Sequence, residues 1–287
     1  MLNPMRLSHS ERSASSPAQA HRIGQAAIAS LYDELALTPK PGLVSFVDTG
    51  SHADMDATTF MRSLFALRHY FPRIAMLGAE SAPFHELEAL GIAAEARMLQ
   101  ATAGINTHRG AVFTLGLLCA AVGRIVGGIT ATGLRDALMH GWGDALQARR
   151  QRSSESNGQR AIQLLGLRGA GEEAALGFPV LFEHAVPALV RARERGLDDT
   201  LAHLQTFFEI MAVLDDTNLA HRGGLAGLRF AQSEARSFLG AGGAAQADAL
   251  LRAGQIHQSF MARRLSPGGA ADVLAAAIFV ERVCRWP

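Results

Sequence analysis

The segment Gly110–Gly123 (GAVFTLGLLCAAVG) carries no charged side chain, and Thr114 is its only polar one. A helix that is apolar all round has to be enclosed by other structure. A bilayer span takes about 20 predominantly apolar residues, so this segment is too short for one and reads as a helix buried in a globular core. The rest of the chain must then supply a shell. That shell is written with a helical period: Phe60, Leu64, Leu67 and Phe71 fall on one face, as do Leu87, Leu90, Ala94 and Met98. Further helices are predicted over His21–Leu37, Thr132–Arg149 (with Leu134, Leu138 and Trp142 inward) and Phe178–Glu194. Leu201, Leu204, Phe208, Met211 and Leu214 form another stripe, and Ser266-Pro267 opens the last helix. No strand-like alternation extends beyond a few residues. The expectation is an all-α fold, a single compact multi-helix domain with long functional loops.

At 287 residues there is ample core for one large domain. Hydrophobic residues make up 48% and charged residues 18%, which excludes a disordered chain. A net charge of +1 argues against a basic nucleic-acid footprint, while the local cluster Arg149–Arg152 offers candidate phosphate contacts. Two cysteines, Cys119 and Cys284, suggest neither a disulfide framework nor a zinc site, so a reducing cytoplasm fits. Residues 1–18 are Ser-rich, lack the apolar core of a signal peptide, and read as a frayed tail. Residues 19–287 are expected to form the single all-α catalytic domain. Gln151–Arg160 (QRSSESNGQR) is the clearest internal surface loop.

The stretch that does not read as helix is Thr38–Asp56, TPKPGLVSFVDTGSHADMD. Pro39 and Pro41 block a helix, and Gly42 and Gly50 permit tight turns. Lys40, Asp48, His52, Asp54 and Asp56 crowd into it, which marks one wall of an active site. Lys40, fixed between two prolines, is expected as a presented cation for phosphate. His52 and His108 are candidate acids, bases or hydrogen-bond donors.

Two short segments echo each other: Asn106-Thr-His-Arg-Gly110 and Asn218-Leu-Ala-His-Arg-Gly-Gly224. An apolar helix is expected after each. A helix N-terminus offers unpaired N–H groups to an anion. Gly110 and Gly223 would let backbone approach it, and Arg109 and Arg222 would add permanent charge. Asn106 and Asn218 would cap or hold a ligand hydroxyl. Asp215 and Asp216 follow a predicted helix, where negative charge is unfavourable, so they call for a cation or a special role. Asp54 and Asp56 are further carboxylates that would suit Mg²⁺ with nucleotide phosphates, or caps. Glu173 is open among base, ligand and helix-start acid. Together these groups suggest an anionic, nucleotide-like substrate.

The motifs PKPGLV (Pro39–Val44), GSHADM (Gly50–Met55), ATAGINTHRG (Ala101–Gly110), GEEAALGFP (Gly171–Pro179), DTNLAHRGG (Asp216–Gly224) and LSPGGAADVL (Leu265–Leu274) resemble, in order, those of the triphosphoribosyl-dephospho-CoA synthases. The resemblance implies conversion of ATP and 3′-dephospho-CoA into 2′-(5″-triphosphoribosyl)-3′-dephospho-CoA and adenine. That product is the prosthetic-group precursor for the acyl carrier protein of citrate lyase or malonate decarboxylase. It implies phosphate or substrate contacts from Lys40, His52, Asn106, Arg109, Gly110, Asn218, His221, Arg222 and Gly223. Mg²⁺ is expected on Asp216 and Asp54, and acid–base or oxocarbenium-stabilising roles fall to Glu173, Asp54, His108 and Asp216. The downstream carrier-protein transferase is an implied partner, and the surplus of apolar helices fits a homodimer. The chain departs from the family pattern at Ser45-Phe46, where Asp-Arg is usual, and at Gly171, where the segment GARGE carries an arginine. Competing readings are a Mg²⁺-dependent helical nucleotide or N-glycoside hydrolase, and a non-catalytic assembly factor that binds a CoA derivative or the acyl carrier.

Overall fold

The computed structural model describes residues 16–153 and 166–286, and among them it contains helices and loops but no strand. The all-α expectation holds. The apolar segment is helix α5 (Arg109–Arg124), and every residue from Thr114 to Gly123 is buried. Around it pack α1 (Pro17–Ala36), α3 (Tyr70–Ala79), α4 (Phe84–Ala101), α6 (Ala131–Ser153) and α12 (Gly268–Cys284). The closest neighbour is α3. A Cβ on Gly78 would collide with the Ala120 carbonyl, and one on Gly123 with the Ala75 carbonyl. Backbone therefore lies directly on backbone. The Tyr70 hydroxyl donates to the Val112 carbonyl at 3.0 Å, so the phenol is buried without an orphaned polar group.

The expected single helix through Phe60–Phe71 is two. Helix α2 (Ala57–Leu67) ends at Arg68, and α3 starts afresh at Tyr70, with Phe71 on it. Pro72 explains the break, because it has no N–H to donate to the Arg68 carbonyl in a continuous helix. Asp56 is the N-cap of α2 in a capping box with Thr59, which accounts for its carboxylate.

At the N-terminus, the Ser16 hydroxyl accepts from the Gln19 N–H and caps α1. Pro17 and Ala18 are thus helical, while the expected tail over residues 1–15 lies outside the described residues. Helix α6 runs on through Gln151 to Ser153, further than expected, and the remainder of the QRSSESNGQR loop also lies outside the described residues.

The second half is built from α7 (Ala170–Ala175), a π-helical turn (Val180–Ala185) leading into α8 (Val186–Glu194), α9 (Asp199–Val213), α10 (Thr217–Gly240) and α11 (Ala249–Ala262). These share one continuous hydrophobic core with the first half. Helix α10 kinks at Gly224, whose φ of 62° and ψ of −168° are not helical. No helix among the described residues is long and apolar enough to cross a membrane.

Thr38–Asp56 is irregular but tethered. The Gly42 N–H donates to His257 Nδ1 of α11 at 3.2 Å, and the Ser51 hydroxyl donates to the Leu265 carbonyl at 2.6 Å. Leu43 and Val44 are buried beneath it. Ser45, one of the two departures, is buried, and its Oγ accepts from the Val47 N–H at 3.1 Å. Phe46 lies exposed against the Tyr32 ring.

The tight α3–α5 contact gives a direct expectation. Gly78→Ala should lower stability to urea by about 1–3 kcal/mol through overpacking. Gly254→Ala, on α11 where an added Cβ meets nothing within 4 Å, should be neutral or mildly stabilising.

Candidate active site

The N-terminal ends of α5, α10 and α12 and the Thr38–Asp56 loop surround a cavity of about 690 Å³. Its lining includes Lys40, His52, Asn106, His108, Arg109, Gly110, Asn218, His221 and Arg222 from the expected set. Asp54, Glu173, Asp216 and Gly223 are not on its surface. Gly223 packs against the Leu265 side chain, which an added Cβ would have to displace.

Lys40 is the only lysine in the chain, and it is not the projecting cation expected. It is almost wholly buried, donates to the Glu34 carbonyl at 2.7 Å and is ion-paired with the Glu34 carboxylate. Burial lowers its pKa, and Glu34 opposes that shift. The chain uses arginine everywhere else, so an unaccompanied lysine beside PKPG was a signal in the sequence that this cation is special.

Asp216 does follow a helix, as expected, but it is the N-cap of the next one. Its Oδ1 accepts from the Asn218 N–H at 2.9 Å and the Leu219 N–H at 3.2 Å. Its Oδ2 accepts from the Ala270 N–H of α12 at 2.9 Å. One carboxylate therefore caps two helices, and their N-terminal dipoles answer the charge that seemed to require a cation. Gly269 makes this approach feasible, since a Cβ there would stand 3.1 Å from the carboxylate. Burial nevertheless raises the Asp216 pKa to about 6 against those hydrogen bonds.

The second His-Arg-Gly is likewise placed differently from expectation. His221-Arg222-Gly223 lies inside the first turns of α10, and the break comes after it, at Gly224. Arg222 donates to the Ser51 carbonyl at 3.3 Å, the Arg264 carbonyl at 3.4 Å and His52 Nδ1 at 3.1 Å. The latter contact makes Nδ1 an acceptor, and Nε2 pairs with the Ser266 hydroxyl at 2.8 Å. Burial, and then the Arg222 charge, lower the pKa of His52, so it is a neutral ring at pH 7.

At the first echo, Asn106 Oδ1 accepts from the Arg109 N–H at 3.1 Å. Arg109 is half-exposed at the rim and ion-paired with Glu95. His108 is buried, with Nδ1 2.7 Å from the Ser63 hydroxyl and Phe60 edge-on. Its Nε2 and the neighbouring Thr107 Oγ1 are buried without partners. Burial, with Lys40 nearby, pulls the His108 pKa down to about 3.

Asp54 is largely exposed, 3.6 Å from His52 Nδ1. No hydrogen bond or ion pair joins it to Asp216, and no group of three or more His, Cys, Asp or Glu side chains suited to a metal occurs among the described residues. Both Asp216 oxygens accept from backbone N–H groups. Glu173 is buried at the start of α7. One oxygen accepts from the Val180 N–H at 3.1 Å, and the other lies 3.5 Å from Arg168. Burial raises its pKa.

Sequence reasoning missed Glu34 and Asp272, whereas the arginines of α6 belong to the Arg149–Arg152 cluster read from the sequence as candidate phosphate contacts. Arg149 pairs with Glu88 at 2.8 Å and Arg150 with Glu172 at 2.6 Å. The Arg149 guanidinium stands 3.4 Å from where a Cβ on Gly171 would lie. An arginine of α6 thus lies beside the position where the family pattern carries one.

A helical shell around a cavity of this size, lined by arginines, an isolated lysine–glutamate pair and neutral imidazoles, defines an enzyme that handles a polyanionic, nucleotide-like substrate. The profile of the ATP:dephospho-CoA triphosphoribosyl transferase family (CitG) matches residues 20–287, and the chain belongs to that family. No solved structure matches the chain. Its activity is triphosphoribosyl transfer, and the family's name implies ATP and dephospho-CoA as the substrates.

Two expectations follow. The His108 pKa falls from 6.5 in the unfolded chain to about 3 in the folded one. Between those values the unfolded state takes up a proton that the folded state refuses, so stability drops as pH falls, by up to about 1.4 kcal/mol per pH unit. Urea titrations of His108→Gln should show a flatter decline from pH 6.5 downward than the wild type. Lys40→Met strands a buried Glu34 charge and should cost about 3–5 kcal/mol. Adding Glu34→Gln should recover much of that loss in the same assay.

Proposed function

We propose that the triphosphate of ATP lies along Arg222, His221 and Asn218, with its ribose directed toward His108 and the interior of the cavity. One observation carries this reading. Of the cations lining the cavity, Lys40, Arg109, Arg149 and Arg150 are each paired with a carboxylate. Among the described residues, Arg222 is held by carbonyls and a neutral ring, so its charge is available at no cost in ion pairs. Dephospho-CoA then enters past Arg149, Arg150 and the Gly169–Gly171 turn, where Ile92, Phe113 and Leu167 add apolar surface for its adenine and pantetheine arm. Mg²⁺ accompanies ATP as part of the substrate, held by phosphate oxygens and water.

In the reaction, the 2′-hydroxyl of dephospho-CoA attacks C1′ of the ATP ribose. The C1′–N9 bond breaks, adenine departs and the triphosphate stays on the transferred sugar. Oxocarbenium character at C1′ favours nearby negative charge, which Glu34 supplies from the lining. His108, uncharged at neutral pH, offers Nε2 to a ligand hydrogen bond.

The product serves as prosthetic-group precursor for the acyl carrier protein of citrate lyase or malonate decarboxylase, and a carrier-protein transferase is the downstream partner. A cytoplasmic homodimer completes this reading. It rests on the cysteine usage and on the exposed apolar side chains Phe65 and Leu251.

Incubating the protein with ATP and Mg²⁺, with and without 3′-dephospho-CoA, and following adenine and the adduct by mass-detected chromatography tests the transfer. Acceptor-dependent adenine plus the adduct is the expected result, whereas adenine without acceptor would mark a hydrolase. A charge-assisted contact contributes about 1.5–3 kcal/mol. Arg222→Ala should therefore raise KM for ATP about 10- to 100-fold with little change for dephospho-CoA, and Arg149→Ala should do the reverse. If the two effects exchange places, the proposed orientation of the substrates is wrong.

A further inference from the structure

The carboxylate that the expected site lacked is Asp272. It lies in the first turns of α12 and lines the cavity. Its side chain rests against the first turn of α5, accepts from the Ala111 N–H and fills the space that a Cβ on Gly110 would need. Gly110 thus has a second reading: it makes room for this carboxylate, whether or not it also lets backbone approach an anion. Two further acids face Asp272, Glu34 from α1 and Asp216 from the start of α10. Glu34 is already committed to Lys40, and Asp216 to three backbone N–H groups. Glu34 and Asp272 both line the cavity, and the charge of Asp216 acts on Asp272 as well.

We propose that Asp272 is the general acid of the transfer, donating its proton to a ring nitrogen of the departing adenine. This rests on the triphosphoribosyl transfer assigned above. As the C1′–N9 bond breaks, its electron pair goes to the purine. The Asp272 proton makes the leaving group neutral adenine, and the new C1′–O2′ bond forms with loss of the hydroxyl proton. The proton released at O2′ balances the one given to adenine, and Asp272 is reprotonated between turnovers. Burial, with the charges of Glu34 and Asp216, holds its carboxyl well above the usual range, which is the direction a general acid requires. His108 is less suited, because its pKa of about 3 leaves it without a cationic form to act as donor.

The test compares wild type and Asp272→Asn on two donors, ATP and 4-nitrophenyl riboside 5′-triphosphate, with dephospho-CoA as acceptor in both. Nitrophenolate leaves without protonation. The variant should lose about 10²- to 10⁴-fold in kcat with ATP and remain within a few-fold of wild type with the nitrophenyl donor. The wild-type kcat/KM for ATP should also fall on the alkaline side, and that limb should vanish in the variant. Equal losses on both donors overturn the assignment. If the wild type rejects the nitrophenyl donor, the alkaline limb decides: a limb retained in Asp272→Asn overturns the assignment, and its disappearance supports it. Should Asp272→Asn not fold, as judged by circular dichroism, Asp272→Ser takes its place. Wild type that forms no adduct from ATP would instead overturn the activity itself, so the two failures are distinguishable.

Discussion

The enclosure of α5 governs the architecture. A helix with no polar face cannot lie at a surface, so neighbours must cover it on every side. The covering is closest at α3, where Gly78 and Gly123 bring the two backbones into contact. Only the N-terminal end of α5 is spared, and there Asn106, His108, Arg109 and Gly110 meet the cavity. The most apolar helix in the chain thereby fixes the position of its most polar site.

Helix ends account for much of the electrostatics. Asp216 joins the starts of α10 and α12 through a single carboxylate, and Asp272 caps the side of α5 from the first turns of α12. Pulling these ends together requires Gly269 and Gly110, where any side chain would crowd a carboxylate. The resulting interior holds more acid than base by its own groups, and an arriving polyanion must be met chiefly by the arginines toward the rim.

Much of this was legible in the chain. Helical periodicity gave the fold, and the apolar segment gave its centre. The Thr38–Asp56 loop and both His-Arg segments were identified as site elements, and residues from all three line one cavity. What periodicity could not show was partnership across long separations. Glu34 sits within a helix with nothing nearby in sequence to mark it, and becomes meaningful only when Lys40 folds back onto it. Asp272 looks like an ordinary residue of an Ala-rich helix until α5 is set against it. The break at Pro72 was visible in principle, because a missing N–H is a local fact. The dual cap at Asp216 was not, because its second helix starts more than fifty residues later. The placement of the α6 charge beside Gly171 was equally hidden.

The pre-formed ion pairs at the cavity have a consequence for selectivity. With Arg109, Arg149 and Arg150 already held by Glu95, Glu88 and Glu172, these arginines present little unopposed attraction to a small anion. At these three arginines a lone phosphate gains one contact and must unseat one acid, a poor exchange. A ligand that carries several phosphates on a single frame can displace more than one acid in a single event, and the entropy of its association is lost only once. These three arginines thus favour the length of a charged chain over charge itself, while Arg222 stays open to either.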